Sequence, residues 1–187
     1  EECEAERRRA LRRRGGHHRK HEKSGASFAA RSTWPTDAMP VSKRKYNGLD
    51  AIVLDDGTSE VIVTIYAAHV VSWSTAAGEQ LFVSSAAEYG SGKAVRGGIP
   101  ICWPQFAARG PGGKHGFCRN SAKWTVVRTS EAPFPCVVFG LADDEATKAD
   151  YPHSFSLRYS VTLDGPNSVS TAMQVQNTGE APLEFTG

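Results

Sequence analysis

The stretch from residue 155 to residue 175 constrains the fold more than any other, because apolar residues, with one threonine among them, recur at every second position. The pattern occurs twice, on either side of the turn-forming sequence DGPN at residues 164–167. The repeating positions are Phe155, Leu157, Tyr159, Val161 and Leu163, then Val169, Thr171, Met173 and Val175. Successive side chains of a β-strand point to opposite faces of the sheet. The stretch therefore predicts two amphipathic strands joined by a turn.

Other short segments rich in β-branched and aromatic residues predict further strands. They are SEVIVTIY (59–66), HVVSWS (69–74), QLFVSS (80–85), WTVVRT (124–129), CVVFGLA (136–142) and the start of another strand at LEFTG (183–187). Only residues 143–150, DDEATKAD, indicate a helix. Strands do not alternate with helices, which argues against a Rossmann-type domain. The pattern predicts an all-β protein, an antiparallel β-sandwich or barrel.

The first 45 residues differ in composition from the rest of the chain. They hold 13 Lys and Arg against 6 Asp and Glu, a balance of +7, whereas residues 46–187 hold 9 against 14, a balance of −5. The first segment is poor in aliphatic residues and cannot form a core. We therefore predict a basic, disordered leader at residues 1–45 and one domain at residues 46–187.

Three interpretations of this leader stay open. Its arginine runs at residues 7–9 and 12–14 can bind nucleic acid electrostatically. It can be a plastid targeting segment, although such segments are poor in acidic residues and this one begins with four glutamates within six positions. It can also be translated sequence upstream of a natural start at Met39. No apolar run reaches the about 20 residues of a membrane span, so we expect a cytoplasmic protein, or a plastid one if the leader is a targeting segment.

The segment from residue 96 to residue 120, RGGIPICWPQFAARGPGGKHGFCRN, fits neither a strand nor a helix because its prolines interrupt both. Its candidate binding residues are Arg96, Lys114, His115 and Arg119. A guanidinium pairs with two phosphate oxygens at once, and a lysine adds a point charge. A histidine can donate to a hydroxyl or exchange a proton near neutral pH. Glycines let backbone approach a ligand closely, so the segment indicates a phosphate-binding loop.

Other motifs fit this segment less well. A Walker loop would need Gly at position 108 and Ser or Thr at position 115, where Ala108 and His115 stand. His115 and Cys118 have the spacing of half a zinc site, but no partner pair is visible. No Gly-x-Ser-x-Gly elbow of a serine hydrolase is present. The remaining alternative is a tight turn in which Arg96 forms a salt bridge.

RGGIPICWPQF followed by HGFCRNSAKW resembles the signature of the glucose-6-phosphate 1-epimerases, in the galactose-mutarotase-like superfamily. The order of the surrounding segments also fits this family: HVVSW, QLFVSS, YPHSFSLRYSVTL and SVSTAMQVQNTG. The resemblance runs from about Leu49 to Gly187. It implies a galactose-mutarotase-like antiparallel β-sandwich, truncated here, with the sugar in a concave groove.

The implied activity is the interconversion of the α and β anomers of a hexose 6-phosphate. An acid and a base open the sugar ring, the C1–C2 bond rotates and the ring closes again. The family needs neither a cofactor nor a metal. The resemblance thus implies a small-molecule sugar phosphate as partner. We also expect a monomer that does not bind a membrane, and of the interpretations of the leader we rank nucleic-acid binding last.

By the same resemblance, Arg96 and Arg119 bind the sugar phosphate and His115 lines the sugar site. Lys114 stands at a substrate-binding position where the family usually has Gln, and it lacks the acceptor of that amide. The family's acid His and base Glu match positions beyond Gly187, and His153 is not the acid. We therefore expect a fragment without its main catalytic residues. The alternative is a non-catalytic sugar-phosphate-binding protein or pseudoenzyme.

Overall fold

Two antiparallel sheets pack face to face in the computed structural model, which describes residues 40–187. The first sheet has five strands in chain order: β1 (Val41–Tyr46), β2 (Leu49–Asp55), β3 (Glu60–Thr64), β4 (His69–Thr75) and β5 (Gly78–Glu79). The second sheet has four: β6 (Thr125–Ser130), β7 (Cys136–Ala142), β8 (Phe155–Leu163) and β9 (Val169–Asn177). Two short 3-10 turns occupy Tyr66–Ala68 and Cys118–Asn120. The predicted all-β antiparallel sandwich is confirmed.

The core between the sheets contains the inward side chains that the alternation predicted on β8. Phe155, Leu157, Tyr159, Val161 and Leu163 are all at most 5% exposed. They belong to one cluster with apolar side chains of β2, β3 and β7, namely Ile52, Leu54, Val61, Val63, Val137 and Phe139. Each side chain of this size contributes about 1.5–3 kcal/mol when it leaves water. This cluster is therefore what joins the two sheets.

The first sheet is covered on its other face as well. Ala51, Ile62 and Val71, one from each central strand, form a second buried cluster with Val95. Val95 belongs to the long connection of residues 80–124 between the sheets, so this connection folds back over the first sheet. Strands buried on both faces carry continuous apolar runs. This double burial explains why β2 contains AIVL and does not alternate.

Several boundaries differ from the sequence-based prediction. β1 begins at Val41, before the predicted domain start at residue 46, and no hydrophobic pattern marks it because its four central residues are exposed. The segment QLFVSS forms no strand, since only Val83 pairs, in a single bridge with Gly97. Residues 183–187 form no strand either. They lie beside the connection, where the Thr186 N–H donates to the Pro104 carbonyl (2.9 Å).

The predicted helix is present as α1 (Glu145–Asp150). Asp144 and Thr147 form its capping box: the Asp144 carboxylate accepts from the Thr147 N–H, and the Thr147 hydroxyl accepts from the Asp144 N–H, both at 2.8 Å. Most of the predicted leader, including Met39, lies outside the described residues. Within residues 40–187, no helix has the length and apolar character needed to cross a membrane.

Candidate functional site

β5 pairs only with the last residues of β4, which leaves the edge of its first residues open. Residues 96–99 lie along this edge, where Ile99 forms a bridge with Val70. Three backbone hydrogen bonds of 2.9 Å hold this stretch: Ile99 N–H to Val70 O, Gly98 N–H to Phe82 O and Ser84 N–H to Arg96 O. Gly97 and Gly98 have φ angles of +110° and +64°, which glycine adopts without strain. The backbone that carries Arg96 is thus fixed from both sides.

The second half of the connection is shaped by Gln105, which is 3% exposed. Its Nε2 donates to the carbonyls of Ala107 and Gly112 at 3.2 Å, and its Oε1 accepts from the Gly112 N–H at 3.0 Å. These bonds close the loop 107–112 around one buried amide. The His115 N–H then donates to the Ala107 carbonyl (2.8 Å), so Gln105 indirectly sets the position of His115.

An open groove of about 820 Å³ is lined by Arg96, Lys114, His115 and Arg119, the four residues predicted to bind substrate. Arg96 comes from the first half of the connection and the other three from its second half. The same groove is also lined by Glu88, Lys93 and Asn120. Two loops that are separate in the chain therefore meet at one surface.

The groove carries an excess of positive charge. Glu88 forms an ion pair with Lys93 (2.8 Å), which neutralises both. No carboxylate within residues 40–187 pairs with Arg96 or Lys114, so the salt bridge considered for Arg96 does not occur there. Arg119 donates from Nη2 to the Lys114 carbonyl (2.9 Å), which orients its guanidinium without neutralising it. Arg96, Lys114 and Arg119 thus line one groove with no counter-ion from residues 40–187, and such a surface attracts anions.

His115 has its proton fixed on one ring nitrogen. The Ala107 N–H donates to His115 Nδ1 (3.1 Å), so Nδ1 is an acceptor and the neutral ring carries its proton on Nε2. Desolvation, followed by the charges of Arg119 and Lys114, lowers the pKa of His115 below its ordinary value. At neutral pH the ring is therefore an uncharged donor through Nε2–H. The backbone contact and a ligand contact use different nitrogens, so His115 can make both.

The other motifs considered from the sequence are not assembled here. Among the described residues, no three His, Cys, Asp or Glu side chains could share a metal ion. Cys118 is completely buried, and this burial raises the pKa of its thiol well above the ordinary value, so it does not form half a zinc site with His115. His153 packs against the Tyr151 ring (4.6 Å between centroids) and does not line the groove.

Sequence reasoning did not identify Lys93 or His69. Lys93 sits in a glycine-rich loop with no distinguishing pattern, and the groove becomes visible only when the chain is folded. His69 was assigned simply to a strand, yet its completely buried imidazole lies 2.7 Å from the Gly97 carbonyl oxygen. The available signal was one polar residue beginning the apolar run HVV.

A family model described as aldose 1-epimerase matches residues 50–187. A protein of Escherichia coli K12, provisionally named glucose-6-phosphate 1-epimerase, is 37% identical over 121 residues, which cover 63% of this chain and 41% of that protein. A protein of Cenchrus ciliaris with the same provisional name is 34% identical over 151 residues, which cover 75% of this chain and 45% of that protein. The chain thus spans less than half the length of these relatives.

Solved structures with the same fold include a provisionally named mutarotase, YeaD, from Salmonella typhimurium. It superposes with a TM-score of 0.64 at 30% identity, over 73% of this chain and 46% of that one. A galactose mutarotase-like protein from Lactobacillus casei superposes with a TM-score of 0.53 at 20% identity, over 68% of this chain and 44% of that one. The second likeness concerns the fold alone.

Proposed function

The chain belongs to the aldose 1-epimerase family, and on that premise we propose that its protein interconverts the α and β anomers of glucose 6-phosphate. The observation that carries this proposal is the groove lined by Arg96, Lys114 and Arg119, three cations to which residues 40–187 supply no counter-ion. An unphosphorylated sugar gives no reason for such a charge. A phosphate dianion does, because each guanidinium can offer it two parallel N–H donors.

The neutral His115 supports the sugar half of the same proposal. Its Nε2–H is an uncharged donor that lines the groove beside Arg96, Lys114 and Arg119, and sugar oxygens are acceptors that need no charge. We assign the phosphate to Arg96 and Arg119 and a sugar oxygen to His115. In this arrangement the described residues bind and orient the substrate.

The reaction moves two protons and forms no new covalent bond to the protein. A base takes the proton of the anomeric hydroxyl while an acid protonates the ring oxygen, the C1–O5 bond breaks, and rotation about C1–C2 precedes closure on the other face. Among residues 40–187, Glu88 is the only carboxylate that lines the groove, and it is held by Lys93. We propose that the principal acid and base are not among these 187 residues, as the resemblance implies.

Calorimetric titration of the chain tests this assignment directly. Glucose 6-phosphate is expected to bind more tightly than inorganic phosphate, and inorganic phosphate more tightly than glucose. The first difference measures the sugar contacts and the second measures the phosphate contacts. Equal affinities for glucose and glucose 6-phosphate would contradict a phosphate site, and equal affinities for glucose 6-phosphate and phosphate would contradict a sugar site.

Polarimetry addresses the catalytic part of the proposal. The 187-residue chain is expected to leave the spontaneous rate of glucose 6-phosphate anomerisation unchanged, because binding without an acid and a base does not lower the barrier to ring opening. Anomer interconversion is followed by optical rotation in buffer with and without the chain. A clear acceleration would show that a sufficient acid and base lie within these residues.

Lys114→Gln restores the residue that is usual in the family and removes one charge from the groove. Lys114 is exposed and forms no ion pair within residues 40–187, so its charge should contribute about 0.2–1 kcal/mol, which is up to roughly fivefold in affinity. We expect weaker binding of glucose 6-phosphate and a smaller loss of affinity with added salt.

The matched control is Lys43→Gln, which removes the same charge from an exposed position on β1, outside the groove. Titrations of both variants at two salt concentrations separate a local contact from the effect of net charge. If Lys114→Gln keeps the affinity and salt dependence of the unaltered chain, the Lys114 side chain points to solvent and makes no contact with the phosphate.

A further inference from the structure

His69 is a completely buried histidine on β4 that does not line the groove. Its Nε2 lies 2.7 Å from the Gly97 carbonyl oxygen. A carbonyl oxygen only accepts hydrogen bonds, so Nε2 carries the proton and donates it. Nδ1 has no hydrogen-bond partner within residues 40–187. Burial lowers the pKa of His69, which keeps the ring neutral.

The glycine backbone of the Arg96 loop rests directly on this ring. A Cβ atom at Gly98 would lie 2.8 Å from His69 Nε2 and closer still to the Val70 carbonyl oxygen, so only glycine allows the loop to approach both this ring and the backbone of β4. Burying an imidazole with one unpaired nitrogen costs free energy that an aliphatic residue would not. The neighbouring residues of β4, Val70 and Val71, are aliphatic and equally buried. Compared with an aliphatic residue, His69 adds a hydrogen-bond donor for the Gly97 carbonyl oxygen.

We propose that His69 is a positioning residue for Arg96. By holding the Gly97 carbonyl and supporting Gly98, it fixes the Gly97–Gly98 peptide, one peptide beyond Arg96, and so helps to direct the guanidinium into the groove. The Ser84 N–H holds the preceding carbonyl, that of Arg96 (2.9 Å), so two consecutive peptides after the Arg96 Cα are fixed. The consequence for ligand binding rests on the proposed function, whereas the effect on the loop does not.

Amide hydrogen exchange tests the effect on the loop without any ligand. In His69→Leu, the amides of Gly98 and Ile99 are expected to exchange roughly tenfold faster, because the loop loses one hydrogen bond and opens more often. His69→Gln places an amide donor near the position of Nε2 and should restore slow exchange, whereas His69→Asn is too short to reach Gly97. Amides of β7 provide the internal reference. If Gly98 and Ile99 exchange at the same rate in the Leu and Asn variants as in the unaltered chain, the proposal is wrong.

A double-mutant cycle tests the route from His69 to the ligand. On its own, His69→Leu is expected to weaken binding of glucose 6-phosphate by roughly three- to tenfold. In a chain that already carries Arg96→Ala, it is expected to have no further effect. An equal loss in both backgrounds would mean that His69 supports the groove as a whole, which would overturn the positioning role. Should the Leu variant fail to fold, the same cycle is run with Gln and Asn, where only Asn is expected to weaken binding.

The two proposals fail in different ways. If the unaltered chain does not bind glucose 6-phosphate, the proposed function is contradicted, and the exchange rates of Gly98 and Ile99 still decide whether His69 holds the loop. If the chain binds glucose 6-phosphate and these rates are insensitive to His69, the proposed function stands and the inference about His69 falls.

Discussion

Gly97→Ala is expected to lower the free energy of unfolding by about 2–6 kcal/mol. At a φ of +110° a residue with a Cβ is strained, which costs of the order of 1–3 kcal/mol. The added Cβ would also lie 2.6 Å from Val83 Cα and closer still to the Phe82 carbonyl oxygen. These are backbone atoms that cannot rotate away, and overpacking of this kind costs about 1–3 kcal/mol more.

Alanine substitutions at two other glycines separate the cost of backbone strain at positive φ from the cost of the clash between the added Cβ and its neighbours. Gly78 also has a positive φ, of +99°, but an added Cβ there would meet no atom within 4 Å. Gly113 has neither a positive φ nor a close neighbour. Urea unfolding should therefore rank the alanine variants with Gly97 the most destabilised, Gly78 intermediate and Gly113 within about 0.5 kcal/mol of the unaltered chain. Equal stability of the Gly97 and Gly78 variants would mean that residues 82 and 83 can move aside at little cost.

Arg96→Ala and Arg119→Ala are each expected to weaken glucose 6-phosphate binding by roughly ten- to a hundredfold. A hydrogen bond to a charged group contributes about 1.5–3 kcal/mol, and in the proposed arrangement the phosphate accepts it from these guanidinium groups. Affinity for inorganic phosphate should fall by a similar factor. The measurement is a calorimetric titration of each variant with both ligands and with glucose.

The matched control is Arg109→Ala, which removes the same charge from an exposed loop outside this groove. It is expected to change glucose 6-phosphate affinity by less than about twofold, since distant exposed charges are screened by salt. Thermal unfolding of each variant shows whether the loop is intact. If Arg96→Ala and Arg119→Ala reduce glucose binding as much as glucose 6-phosphate binding, the two arginines maintain the loop and do not hold the phosphate.

β8 was predictable from sequence because its apolar and polar residues alternate strictly, although its last five residues are buried on both faces. β7 coincides with the predicted segment CVVFGLA, whose first four residues are all buried. The first sheet was harder to predict because it is buried on both faces in the middle and exposed at its edge. There the periodicity disappears in β2, and β1 resembles the basic leader before it.

The residues of the candidate site were accessible from sequence, but their arrangement was not. Clustered cations among glycines and prolines indicate an anion-binding loop whatever the fold. The tautomer of His115 depends on an Ala107 N–H that approaches it only when Gln105 has closed the loop between them. The contact from His69 to Gly97 joins residues 28 positions apart, so the sequence around either residue does not predict it.

Both sheets are meanders in which every strand pairs only with its predecessor or successor in the chain. Such pairings close short loops, which costs little chain entropy, and proteins dominated by local contacts fold faster than those with distant pairings. Residues 41–79 and 125–177 can therefore each form a sheet from one continuous segment. The connection between them contacts β4 through Ile99 and contacts Phe155 of β8 through Trp103. Its surface is completed only after both sheets exist, so anion binding would report the last step of folding.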